Sequence, residues 1–267
     1  MSDRIRVTIS NGVADVRLIR TDKMNALDDA MFSALIETAD ALNANKDVRC
    51  VVLSGEGRAF CAGLDMGNFG RMAKGGGSGV SRGRLAERTH GITNRAQQAV
   101  WGWRQLRVPV IAAVHGVALG GGFQVMLGAD IRITHPETKL SILEIKWGLV
   151  PDMGSTAIMR QLVREDIVRE LTYTGRMFSG AEAHAYGFTT HLSDTPLEDA
   201  LALAAEIADK SPSAIQTAKA MYNDLPDRDD AAALLAESEL QDELIGSDNQ
   251  VEAVKSALEK RAPAFID

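Results

Sequence analysis

Cysteine is nearly absent from this chain: Cys50 and Cys61 are the only two in 267 residues. Two thiols cannot build the cross-linked framework of a small secreted domain, and neither sits in a metal-ligand spacing, so disulfide scaffolds and zinc modules are excluded and no metal is expected. An excess of positive charge is missing as well. Lys and Arg total 29 against 36 Asp and Glu, a formal charge of −7, which argues against binding nucleic acid because phosphate neutralisation needs a basic face. No stretch approaches the ~18 uninterrupted apolar residues of a membrane span. The longest candidate, Val108 to Leu127, is broken by Pro109, His115, Gly116 and the run Gly120 to Gly122. The opening MSDRIRV carries no apolar signal region, so a reducing cytoplasm is the expected location.

What is present is ordinary globular composition, 45% hydrophobic and 24% charged, which excludes a mainly disordered or fibrous chain. At this length the chain forms one domain, or one domain with a small appendage. Ile5 to Ser10 and Val13 to Ile19 are β-type runs joined by Asn11-Gly12, a hairpin signal because both residues tolerate positive φ. Leu27 to Leu42 places apolar residues at helical spacing. Cys50 to Leu53 reads as a strand buried on both faces, ended by Ser54-Gly55-Glu56-Gly57. Val108 to Val114 repeats the theme, followed by a glycine-rich turn, a short helix from about Gly121 to Leu127, and a strand over Ile131 to Thr134. The expectation is an α/β core of stacked turns over residues 1–196.

From Leu197 onward strand signals vanish, and Ala200 to Ala208, Ser213 to Tyr222, Ala231 to Leu244 and Val251 to Arg261 all carry helical patterning. A helical region of that size, 197–267, is too small for a large core of its own and must pack on the first part or on a neighbouring subunit. Gly70 to Gly83 is the one low-complexity stretch and reads as a mobile loop.

Two glycine-bearing turns follow buried strands: Ala59-Phe60-Cys61-Ala62-Gly63-Leu64-Asp65 and Gly116-Val117-Ala118-Leu119-Gly120-Gly121-Gly122-Phe123-Gln124. The second feeds a helix, whose free amides near Gly121 and Gly122 lie at a positive end with no side chain in the way. The backbone N–H groups of Leu64 and Gly121 could together hold a developing oxyanion, each donor worth roughly 3–4 kcal/mol in such a site. The alternative is that these glycines merely permit tight turns and close packing. Nucleotide hydrolysis is discarded, because the second turn lacks the Lys-Ser/Thr of a P-loop.

These two turns, together with Asn25-Ala26-Leu27 and the segment Glu144-Ile145-Lys146-Trp147-Gly148-Leu149-Val150-Pro151-Asp152-Met153-Gly154, resemble the crotonase, or enoyl-CoA hydratase/isomerase, superfamily in order and separation. The resemblance spans essentially the whole chain. It implies a crotonase-like α/β fold, a stacked β-β-α spiral core with a C-terminal all-helical region that assembles a homotrimer or a dimer of trimers. It implies an acyl-coenzyme A thioester as substrate, with coenzyme A belonging to the substrate and no separate cofactor, and the amides of Leu64 and Gly121 holding the thioester oxygen. It further implies coenzyme binding around the first turn, which contains Ala62 and Asp65, and by basic side chains at Arg58 and Lys260. Lys23 is a further candidate for the nucleotide phosphates, against the common alternative of a solvated charge.

Hydratases of this superfamily use two glutamates to handle a water molecule, and this sequence keeps only the second. Gln124 stands at the first position, and an amide cannot exchange a proton near neutral pH. Glu144 remains, flanked by apolar residues that could desolvate it and raise its pKa. The related 3-enoyl-CoA isomerases use a single glutamate, and Gln124 is tolerable in that chemistry. Asp152, eight residues on, matches an acidic position of the dienoyl-CoA isomerases, or else caps the helix that follows. Trp147 could line an acyl pocket, whereas Trp101 and Trp103 could equally be core. His115 and His135 lie beside no nucleophile and are left out. The expected activity is double-bond isomerisation of an enoyl-CoA by Glu144, in fatty-acid or related catabolism. An enoyl-CoA hydratase and a non-catalytic acyl-CoA binding protein are the alternatives.

Overall fold

The computed structural model describes residues 3–72 and 84–266. Most of the glycine-rich run between Gly70 and Gly83, expected to be a mobile loop, lies outside the described residues. In chain order the elements are β1 (Ile5–Ser10), β2 (Val13–Leu18), α1 (Asp29–Ala44), β3 (Cys50–Gly55), α2 (Met66–Met72), α3 (Arg95–Arg104), β4 (Val110–Val114), β5 (Val117–Leu119), α4 (Gly121–Leu127), β6 (Ile131–Thr134) and β7 (Lys139–Ser141). They continue with α5 (Ser155–Leu162), α6 (Glu165–Thr174), β8 (Phe178–Ser179), α7 (Gly180–Tyr186), β9 (His191–Leu192), α8 (Pro196–Ala208), α9 (Pro212–Asp224), α10 (Asp230–Leu244) and α11 (Asp248–Glu259).

The hairpin forms as its turn residues dictate: Asn11 and Gly12 take φ of 50° and 77°, and Ser10 pairs with Val13. The expected first helix begins two residues late. Asp28 accepts a hydrogen bond from the Met31 N–H and caps α1, while Leu27 is drawn out of the helix to form a bridge with Leu64. Tertiary pairing here overrides the helical spacing of the apolar residues.

A six-stranded sheet has the order β1-β2-β3-β4-β6-β9, parallel from β2 onward, and a small sheet has the order β5-β7-β8. The two are wound together. After β4 the chain steps into β5 and then α4; after β6 it steps into β7 before the next helices. Isolated bridges Cys61 to Ala118 and Leu27 to Leu64 extend the small layer back to the segment following β3. This is the expected β-β-α stacking, and it lays the ends of successive turns side by side.

Helix α4 is short and almost wholly buried. Phe123 anchors it edge-on to Phe178 and Phe188, with ring centroids 5.7 and 5.2 Å apart. The C-terminal region is all helix, yet its first helix belongs to the core layer. Ala200, Ala204 and Ala208 of α8 pack on Val13, Cys50, Val52, Ile111, Ala113 and Ile133 of the large sheet. Lys219 of α9 is buried and donates to Asp130 Oδ2 at 2.7 Å and to the Val108 carbonyl at 2.8 Å, pinning that helix to the start of β4. Among the described residues no helix is long and apolar enough to cross a membrane.

Candidate active site

A cavity of about 600 Å³ opens where the small layer meets α4. Its wall is mainly apolar, with Phe32, Leu119 and Met153 among the lining side chains. The segment after β3 enters it because Asn25 holds that segment in place. The buried Asn25 amide donates to the carbonyls of Glu56, Ala59 and Phe60 at 3.1, 2.9 and 3.2 Å. Met24 and Asn25 both have positive φ, 49° and 56°, a conformation that asparagine tolerates well, and the Met24 carbonyl accepts from the Ala62 N–H at 2.9 Å. The Asn25-Ala26-Leu27 motif is thus the clamp behind the first turn.

The parallel bridge between Leu27 and Leu64 decides where the Leu64 amide points. Leu27 donates to the Gly63 carbonyl at 2.8 Å and accepts from the Asp65 N–H at 3.0 Å, so the N–H of Leu64 itself is directed away from Leu27. Gly63 makes the approach to the second turn possible. Its φ is 85°, a Cβ there would collide with the Leu119 carbonyl, and the same point lies 3.6 Å from the Gly121 nitrogen. Gly121 opens α4. Neither the Leu64 nor the Gly121 N–H has a protein acceptor among the described residues. Two free amides from neighbouring turns therefore border one cavity, which both residues line. Such a pair is suited to stabilising an oxyanion.

Glu144 begins a short 3₁₀ turn (Glu144–Trp147) and lines the cavity with little solvent exposure. Its Oε1 accepts from Gln124 Nε2 at 2.7 Å, while Oε2 is buried without a partner. Burial pushes its pKa up from the ordinary glutamate value, its own backbone N–H and then the Gln124 hydrogen bond oppose that rise, and the charge of Asp152 adds to it. Asp152 lines the same cavity. It reaches solvent through the opening, but protein crowds its carboxyl closely enough that burial raises its pKa too. The helix-capping alternative is overturned: the residue at the N-cap of α5 is Gly154, with φ of 92° and no side-chain cap.

Gln124 does not reach the cavity. It is 1% exposed and stands behind Glu144, its Oε1 accepting from the Met153 N–H at 2.9 Å and from Ser155 Oγ at 2.7 Å. The structure thus turns the Gln124 acceptor oxygen toward the loop before α5 and leaves its Nε2 on Glu144, so any part it has in the chemistry runs through Glu144. Ser155 carried no signal in the sequence beyond its position near a helix start.

Of the coenzyme-binding candidates, Lys23, Ala62, Asp65 and Trp147 line the cavity. Asp65 is committed elsewhere: it accepts from Arg20 Nη1 at 2.6 Å and from the Gly67 N–H at 2.8 Å. The Gly67 and Arg20 hydrogen bonds outweigh burial and hold its pKa below the ordinary value. Arg58 is exposed beyond the clamped turn, and Lys260 ends α11 with φ of 53°; neither lines the cavity of this single chain. Spacing along the chain could not reveal that separation. Trp147 stacks with Lys146, whose Nζ is 5.4 Å from the ring centre. His115 bonds the Gly57 carbonyl and His135 accepts from the Glu137 N–H, so both have local structural roles. Trp103 is core. The buried Cys61 thiol donates to the Asn25 carbonyl and is pushed up to about 12 by burial. Among the described residues no cluster of side chains could hold a metal.

The chain matches the family model for Enoyl-CoA hydratase/isomerase over residues 8–267. It is 31% identical over 264 residues to a peroxisomal Delta(3,5)-Delta(2,4)-dienoyl-CoA isomerase of Arabidopsis thaliana, covering 98% of this chain and 95% of that one. It is 30% identical to the enoyl-CoA hydratase EchA19 of Mycobacterium tuberculosis, over 94% of this chain and 91% of the other. The crystal structure of an enoyl-CoA hydratase from Bacillus anthracis superposes with a TM-score of 0.86 at 26% identity, covering 98% and 99% of the two chains. By its whole-length match, its fold and its site, this chain belongs to the enoyl-CoA hydratase/isomerase family.

Proposed function

We propose that this chain isomerises an enoyl-CoA, shifting a carbon–carbon double bond into conjugation with the thioester carbonyl. The thioester oxygen accepts from the Leu64 and Gly121 amides, which stabilise the enolate charge as it forms. Glu144 takes a proton from the α carbon and returns it at the γ carbon, so the double bond moves by one position and no atom is gained or lost. A carboxyl group desolvated as Glu144 is has its pKa moved toward the range where it can both accept and release a proton.

The observation that carries this reading is the position of Gln124. Hydration in the two-glutamate manner needs a second proton-exchanging group on the water, and Gln124 is an amide, buried outside the cavity, with its oxygen already accepting two hydrogen bonds. The second carboxyl with a raised pKa along the cavity is Asp152, and it favours a dienoyl-CoA as the particular substrate. There Glu144 and Asp152 would take and return the proton at opposite ends of the conjugated system. The relatives from Arabidopsis thaliana and Dictyostelium discoideum carry that activity in their names. A hydratase with Glu144 and Asp152 sharing the water is the second reading, favoured by the same two carboxyls.

Lys23 at the cavity rim is assigned to the phosphates of coenzyme A, with Ala62 beside the pantetheine arm and Trp147 against the acyl chain. Arg58 and Lys260 reach a coenzyme only from outside this cavity, Lys260 from a neighbouring subunit. The exposed apolar residues Leu234, Leu235 and Ile245 on and after α10, with Leu258 on α11, support subunit contact by region 197–267 in a homotrimer or a dimer of trimers. The cytoplasm is the compartment proposed for this chain, from its low cysteine content, whereas the dienoyl-CoA isomerases it is similar to are named as peroxisomal and mitochondrial.

Ultraviolet absorbance of the purified chain with 3-enoyl-CoA, 3,5-dienoyl-CoA and trans-2-enoyl-CoA tests the function directly. A gain of conjugated absorbance from the first is expected, and a shift to longer wavelength from the second. Loss of absorbance from the third alone would establish hydration instead, and binding with no change in any would mean a non-catalytic acyl-CoA binding protein.

A further inference from the structure

The amide of Gln124 is held in one orientation by a donor that cannot reverse, the Met153 N–H. Its Oε1 receives the Met153 N–H and the Ser155 hydroxyl. A backbone N–H only donates, so turning the amide over would set an NH₂ group against it, at the cost of a buried unsatisfied donor. With Oε1 fixed there, Nε2 must face Glu144, where it meets Oε1 at 2.7 Å. Gly120 closes in on that same oxygen: a Cβ on it would stand 3.4 Å from Glu144 Oε1. The other oxygen of Glu144, Oε2, is buried and has no partner.

We propose that Gln124 is a positioning residue that assigns the proton of Glu144 to Oε2, holding Oε1 as a permanent acceptor and tying Glu144 to the loop that carries Asp152. This rests on the isomerase reading above. A neutral donor suits a carboxyl that must cycle between charged and neutral forms. The same N–H bonds the carboxylate before proton uptake and the carbonyl oxygen after it, so the side chain need not reorient during turnover. The hydrogen bond favours the ionised form and, after the backbone N–H of Glu144 itself, counters the burial that raises the Glu144 pKa. Because Met153 follows Asp152 directly and its N–H is bound to Gln124, the spacing of the two cavity carboxyls is set by the same amide. The charged groups sharing the cavity wall with Glu144 are Asp22, Lys23, Asp65 and Asp152, with Lys146 on the next residue but one, over Trp147. Of these, Asp152 contributes to the raised value.

The experiment titrates Glu144 by ¹³C NMR in full-length protein labelled at the glutamate carboxyls, with the resonance assigned from Glu144→Gln. It pairs this with the pH profile of kcat/KM on 3-enoyl-CoA. Gln124→Met keeps the length and removes the donor, and should raise the Glu144 titration by roughly one pH unit, the worth of a hydrogen bond to a charged group. The acid limb of kcat/KM should move with it, and kcat should fall while KM holds. Ser155→Ala loosens the amide without removing it, and should shift both in the same direction by less. An unmoved Glu144 titration in both variants overturns the proposal, and if Gln124→Met does not fold, the Ser155→Ala result decides alone. A wild-type chain that turns over none of the thioesters would sink the reaction assigned above, whereas the NMR shift would still show whether Gln124 sets the protonation of Glu144.

Discussion

The side-chain nitrogen of Asn25 lies 2.9 Å from the carbonyl oxygen of Ala59, across 34 residues of sequence. The same amide group reaches the carbonyls of Glu56 and Phe60, so one buried side chain fixes the approach of the chain to Leu64. Asn25→Ala strips donors from three carbonyls, at about 1 kcal/mol for each hydrogen bond and more where the acceptor is left buried. A loss of roughly 2–4 kcal/mol is expected by denaturant unfolding. The folded fraction should show kcat reduced more than KM, because the Leu64 amide loses its support; an unchanged kcat would show that the turn holds itself.

Gly63 lies where two turns meet. Gly63→Ala forces a side chain into positive φ, costing on the order of 1–3 kcal/mol, and sets its methyl against the Leu119 carbonyl. The turn must move, and Leu64 with it. A fall in kcat of roughly 10²–10³, the value of one lost oxyanion donor, is the expected kinetic result.

Glu144→Gln should abolish isomerisation, by at least the ~10²–10⁴ that a positioned acid/base contributes, and leave the affinity for a saturated acyl-CoA nearly intact. Stability should move the other way. The folded pKa of Glu144 is raised above its unfolded value, so its favourable contribution is complete below the ordinary glutamate value, 4.5, and is lost as pH rises through the folded value. Glu144→Gln is therefore more stable than the parent above that window, and the advantage shrinks as pH falls toward 4.5. Thermal unfolding across that range checks the sign; an advantage growing toward acid would contradict it.

Asp152→Asn separates one base from two. Removing its charge takes away a contribution that raises Glu144, so the acid limb of the 3-enoyl-CoA profile moves to lower pH with kcat largely kept. Turnover of a 3,5-dienoyl-CoA should fall by roughly 10² or more if Asp152 handles a proton. Equal, small losses on both substrates would remove it from the chemistry.

Lys219→Met tests the docking of the C-terminal helices without touching the cavity. The lysine is buried against Asp130, and removing one partner of such a pair costs about 3–5 kcal/mol when both are fully desolvated. Asp130 is partly exposed, so a smaller loss is expected. kcat on the folded protein should be unchanged, as measured beside calorimetric unfolding.

Much of the fold was legible because it depends on short-range signals. The Asn11-Gly12 hairpin, the continuous apolar runs at Cys50 and Val110, the helix at Gly121 and the four C-terminal helices all stand where local patterning put them. The start of α1 did not, because Leu27 is recruited by Leu64, a partner that periodicity cannot see. Among site residues, Glu144, Asp152, Leu64, Gly121, Lys23 and Trp147 do converge on one cavity. Asn25 stood out as part of a motif but its role as a clamp did not, and the lock formed by Ser155 was invisible, since a buried polar residue in a turn looks like any other turn residue until its partners are known.

By itself the sequence determined the chemistry at hand: a carboxyl at 144 without a glutamate at 124, glycines that let two turns approach, and patterning for a parallel core with a helical tail. Only the tertiary structure decided how those parts act. It turned Gln124 away from the cavity, released Asp152 from capping a helix, engaged Asp65 with Arg20, and left Arg58 and Lys260 outside the cavity. Residue type sets which hydrogen bonds and protons a group can exchange, whereas orientation and burial depend on partners far away in the chain, and those exist only once the turns have stacked.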